Sequence, residues 1–101
     1  MTYLEELKDV IRCLHGVESA HVQSIPVKEI FQGKTVWDGI VEVFDLKNHP
    51  TAARIYAWAH DTDGPNKPRR HVTVLHETPV DSPEAAVRAS IIQDYINLET
   101  E

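Results

Sequence analysis

Near the start of the chain, apolar residues recur at Tyr3, Leu4, Leu7, Val10, Ile11 and Leu14. That spacing lays one stripe along a helix turning about 100° per residue. Thr2 and Glu5 stand in the T-x-x-E arrangement of a capping box, and Gly16 suits the left-handed residue beyond a last turn. A helix is therefore expected from about Thr2 to His15. Near the other end, VDSP precedes a second helical pattern reaching about Leu98. Asp81 or Ser82 can cap it, and Pro83 fits its first turn. Ala85, Ala89, Ile92 and Ile96 form one ridge there, and Val87, Ile91, Tyr95 and Leu98 another. Arg88 lies between them, with Glu84 one turn earlier as its expected partner.

Between the helices the pattern favours strands at Ala20–Phe31, Lys34–Leu46, Arg54–Asp61 and Arg70–Glu77. Gln32-Gly33-Lys34 is a tight turn, Lys47 to Thr51 a short polar one, and Asp61 to Arg70 a longer loop punctuated by Gly and Pro. Short connections join antiparallel neighbours. The expected fold is a two-layer α+β domain spanning residues 1–101: helix, four-stranded antiparallel meander, helix, with both helices on one sheet face.

Strand phasing then sorts the side chains. Closing the first hairpin around Gly33 sets Ile25 against Val41 and Lys28 against Asp38; placing His60 opposite His71 sets Trp58 beside Thr73. The face expected under the helices carries Ile25, Val27, Val41, Val43, Ile55, Ala57, Ala59, Val72 and Val74. The opposite face carries Ile40, Glu42, Phe44, Tyr56, Trp58, His60, His71, Thr73 and Leu75, with Lys28 and Asp38 toward the first hairpin. A shift of strand two by one residue would bury Glu42, which is costly without a partner. The second face is thus expected to stay open, with an apolar-aromatic patch at Phe44, Tyr56, Trp58 and Leu75.

Composition adds bounds. The chain has 101 residues and a formal net charge of −6, which disfavours a general nucleic-acid binder. Cys13 is the sole cysteine, so no intramolecular disulfide can form and a reducing compartment is the simpler expectation. It sits at the flank of the first stripe, where a partly buried, inert thiol is expected. The opening MTYLEELKDV is acidic, and the chain has no long apolar run. A cytoplasmic protein without a membrane span follows as the expectation.

Candidate chemistry is sparse. His60, His71, Asp61 and Asp63 are the one grouping that resembles a metal or acid–base site, and no Cys-containing or H-E-x-x-H zinc pattern accompanies them. The serines lack a nucleophile elbow, and the glycines are scattered rather than clustered in a phosphate loop. Lys67, Arg69 and Arg70, beside His71, form the basic cluster able to hold a phosphate or an acidic partner. No cofactor is expected.

Two resemblances touch parts of this pattern. The order of elements is similar to that of the double-stranded-RNA-binding domain, but that family places basic residues at the start of its last helix, where this chain reads DSPEAA. An acidic start repels phosphates. The segment from Asp81 to Leu98 also looks like the strand-to-helix end of HicB-type antitoxins, through a generic S-P-E-A-A helix opening without that family's overall order. Neither resemblance carries a function over.

The expected function is a non-enzymatic binding or assembly module that self-associates as a homodimer through the open face. Phe44, Tyr56, Trp58 and Leu75 would form its centre, with His60, His71, Arg69 and Arg70 at its border. The alternatives are stacking of single-stranded nucleic acid or an aromatic ligand on the same rings, and a small His/Asp metal or acid–base site.

Overall fold

The computed structural model describes residues 2–60 and 70–100. It has the expected α+β class and element order: α1 (Tyr3–His15), β1 (Ser19–Phe31), β2 (Lys34–Leu46), β3 (Arg54–His60), β4 (Arg70–Leu75) and α2 (Pro83–Thr100). The strands form one antiparallel sheet in the order β1-β2-β3-β4.

Local chemistry explains the ends. Thr2 and Glu5 close a reciprocal capping box on α1. Gly16 takes a φ of 71°, and its N–H donates to the Arg12 carbonyl at 2.8 Å. The Ser82 hydroxyl accepts the Ala85 N–H at 3.1 Å at the start of α2. Gln32 and Gly33 both adopt positive φ, 52° and 76°, as the two-residue turn between β1 and β2 requires. That turn sets Phe31 opposite Lys34, and a bulge at the unpaired Val36 then shifts the register to the expected pairs Ile25–Val41 and Lys28–Asp38.

The other registers differ from expectation. Ala59, not His60, lies opposite His71, so Trp58 meets Val72 and Tyr56 meets Val74; across β2 and β3, Val43 meets Tyr56. The β3–β4 pairing is displaced by one residue, a slip that exchanges the two faces of a strand, and Tyr56 joins the face of Val43 instead of the one opposite it. The structure therefore corrects the face assignment. Tyr56 and Trp58, 2% and 3% exposed, lie in one buried cluster with Val27, Val41, Val43 and the α2 residues Ala86 and Val87. Phe44, Ile55 and Ala57 form the other cluster, with Leu7 and Ile11 of α1. The two helices lie on opposite faces of the sheet rather than sharing one.

Burial along the central strands follows from this. Residues 41–44 are all buried, as are residues 55–58, because each successive side chain meets a helix on its own side. Each large side chain sealed in this way contributes about 1.5–3 kcal/mol of hydrophobic stabilisation.

β1 and β2 pair from end to end, yet β2 meets β3 only from Glu42 to Asp45. The rest of the hairpin is a two-stranded arm. Where β2 departs, the Ala59 N–H donates instead to the Tyr3 hydroxyl at 2.8 Å. The inner face of the arm follows α2: Ile25 and Trp37 pack against the α2-side cluster, and the Trp37 and Trp58 rings meet edge-on at 5.6 Å. Gly39 leaves room for this ring, since a Cβ there would stand 3.1 Å from Trp37 and push the indole aside. Arg88 pairs with Glu29 across to the arm instead of with Glu84.

Candidate interaction surface

The residues expected to form a docking surface are dispersed by the fold. Phe44, Tyr56 and Trp58 are core, and Leu75 packs partly buried against the α1-side cluster. A stacking platform made of Tyr56 and Trp58 is thereby removed. His60 pairs with Arg70 in the β3–β4 ladder, so the two histidines are not ladder partners. His71 Nε2 lies 3.1 Å from Glu6 on α1. Arg69, Asp61 and Asp63 lie outside the described residues. No helix of the described residues is long and apolar enough to cross a membrane. Among those residues, no group of three or more His, Cys, Asp or Glu side chains is placed to hold a metal.

A polar cluster that sequence reasoning missed surrounds Glu42. This carboxylate is 7% exposed on the α1 side of the sheet. Its Oε1 lies 3.0 Å from His21 Nε2 and accepts the Ser24 hydroxyl. The imidazole stands edge-on to Phe44, with ring centroids 5.3 Å apart. Serine, histidine and glutamate do not form a nucleophilic relay here. Both donors converge on the same oxygen, and Ser24 Oγ lies 3.5 Å from Nε2, beyond the reach expected of a base and its nucleophile. The cluster satisfies a buried charge.

Two further contacts are structural. Tyr56 places its hydroxyl 2.6 Å from His76 Nδ1. Burial raises the phenol's pKa above its ordinary value, outweighing the opposing Arg54 charge. The tyrosine thus keeps its proton and donates to Nδ1. His49 Nδ1 accepts the N–H groups of Thr51 and Ala52 at 3.2 and 3.0 Å, fixing the turn between β2 and β3.

His15 joins these elements at the end of α1. Its Nε2 lies 3.2 Å from Thr73 Oγ1, and its ring meets His49 at 6.2 Å. Burial first, and then the neighbouring His49, lower its pKa below 6.5. The folded state thus binds this proton less tightly than the unfolded chain. The stability it confers is present above pH 6.5 and is lost as pH falls through the lowered folded value. Urea melts from pH 7.5 to about pH 5 should show declining stability, with a smaller decline in His15→Gln. An unchanged slope in the variant would reject His15 as the source.

Several large apolar side chains also remain at the surface. On the arm and its tip, Ile30, Phe31 and Ile40 are 62%, 64% and 53% exposed. On α1, Leu14 is 63% exposed, and the expected partly buried Cys13 is in fact exposed. Leu14 and Cys13 border an open cleft of about 500 Å³, completed by Glu6, Asp9, Val10 and His71. This cleft runs between the outer flank of α1 and β4, an edge strand of the sheet. Compared with family models, curated proteins and solved structures, the chain matches none of them.

Proposed function

We propose that this chain is a non-enzymatic assembly module of the cytoplasm that works as a homodimer. The observation that carries this reading is the set of large apolar side chains left in water, among them Leu14, Ile30, Phe31 and Ile40, each more than half exposed. Exposed apolar surface of this kind marks association sites when it is contiguous. A net charge of −6 disfavours a polyanionic partner. The polar groups described above are engaged with one another, as in a scaffold rather than a reaction centre. The sole cysteine, exposed Cys13, suits a reducing compartment.

Sedimentation of the purified chain across the micromolar range tests the proposal. A reversible monomer–dimer equilibrium is the expected result. A monomer at every concentration would reject it.

A further inference from the structure

We propose that two copies join edge to edge through β4, antiparallel about a two-fold axis at Thr73, giving one continuous sheet with four strands from each copy. This rests on the self-association reading and takes from its exposed apolar set Leu14, which borders the cleft beside β4; Ile30, Phe31 and Ile40 lie on the arm, outside the joint.

The sheet order leaves β1 and β4 as edges. They are protected very differently. β1 carries Pro26 in mid-strand and a bulge at the unpaired Val22, between His21 and Gln23; proline and bulges are devices that blunt an edge against pairing. β4 has neither. Its sequence RHVTVL pairs regularly with β3 at every position, and among the described residues it pairs with β3 alone.

The phase of its free groups follows from one hydrogen bond. His76 N–H donates to the Arg54 carbonyl at 2.9 Å. Antiparallel ladders alternate, so Val74 and Val72 also turn their N–H and C=O toward β3. His71, Thr73 and Leu75 therefore present theirs at the outer edge. The Leu75 carbonyl accepts the Glu77 N–H at 2.9 Å and keeps a second lone pair, so Thr73 is the centre of the available ladder, flanked by His71 and Leu75.

A second copy fits this edge better than an unrelated strand, because the edge is complementary to itself. A two-fold at Thr73 sets Thr73 against its own copy, Val72 against Val74, and His71 against Leu75. Apolar β-branched side chains then meet on one face, a favourable cross-strand pairing. β4 starts at basic Arg70 and is followed by acidic Glu77, so antiparallel pairing brings the basic end of each strand to the acidic end of the other. The apolar flank of α1 lies beside the same edge, where Val10, Leu14 and His71 share the cleft, and an added strand there shields Leu14 from water. Closure by two-fold symmetry uses both β4 edges and leaves only the β1 edges, which Pro26 and the bulge at Val22 protect against further pairing.

The test combines cross-linking with sedimentation. In the Cys13→Ser background, Thr73→Cys places the sole thiol on the proposed axis. Opposed residues of an antiparallel ladder lie about 4.5–5.5 Å apart, within disulfide reach. A mild thiol oxidant should convert this variant to a covalent dimer, whereas Lys28→Cys in the same background, on the arm, should stay uncoupled. Glu77→Arg changes an exposed residue and places like charges together; it should weaken dimerisation on the order of tenfold. A wild-type chain that never dimerises sinks the self-association reading itself. A dimer that resists Thr73→Cys coupling and is indifferent to Glu77→Arg overturns β4 pairing alone.

Discussion

Trp58→Glu abolishes the folded domain instead of loosening an assembly. The Trp58 ring is 3% exposed, packs beside Tyr56, Val43 and Val87, and meets Trp37 edge-on. Truncating a buried aromatic of this kind costs about 3–5 kcal/mol. Replacing it by a carboxylate adds the desolvation of a charge for which the cluster offers no cation, several kcal/mol more. A domain of this size holds about 5–15 kcal/mol in total, so the sum approaches or exceeds its whole stability. Far-UV circular dichroism and a urea titration read the outcome directly. A variant that keeps the wild-type spectrum and midpoint while losing self-association would place the ring on a docking surface, and would remove α2 as its cover.

The elements themselves were legible because their signals are local. The capping box at Thr2, Gly16 beyond α1, Ser82 before Pro83 and the Gln32-Gly33 turn each act within a few residues, and the observed element ends lie close to those expected. The pairs Ile25–Val41 and Lys28–Asp38 match expectation although the two-residue turn alone would place each one residue away, because the bulge at Val36 offsets the phase the turn sets. The other registers depend on contacts distant in sequence. Phasing was anchored on the cost of burying Glu42, and that cost is offset by His21 and Ser24, which reach it from the neighbouring strand. A carboxylate with two donors can face a core. The expected docking surface failed with that anchor, and Phe44, Tyr56 and Trp58 became interior residues. One signal pointed the other way: Ile55-Tyr56-Ala57-Trp58-Ala59 is continuously apolar, and a strand without alternation is one covered on both faces. On the arm, strand alternation puts Ile40 on the expected open face, whereas Ile30 and Phe31 stand side by side before the turn and give no alternating signal.

A double-mutant cycle separates the two halves of the core. Phe44→Ala should cost about 3–5 kcal/mol and Leu7→Ala about 2–5 kcal/mol, as both side chains are fully buried in the α1-side cluster. Because the two belong to one cluster, the second truncation enlarges the first cavity or collapses into it. Their combined cost should then depart from the sum by about 0.5–3 kcal/mol. Val87 gives the contrasting cycle. It is as deeply buried as Leu7 but belongs to the α2-side cluster with Tyr56 and Trp58, and the sheet lies between them. Leu7→Ala and Val87→Ala should therefore add to within about 0.5 kcal/mol. Urea midpoints and slopes for the single and double variants supply both cycles. Strong coupling between Leu7 and Val87, with none between Leu7 and Phe44, would mean that the helices share one core and that the sheet does not divide it.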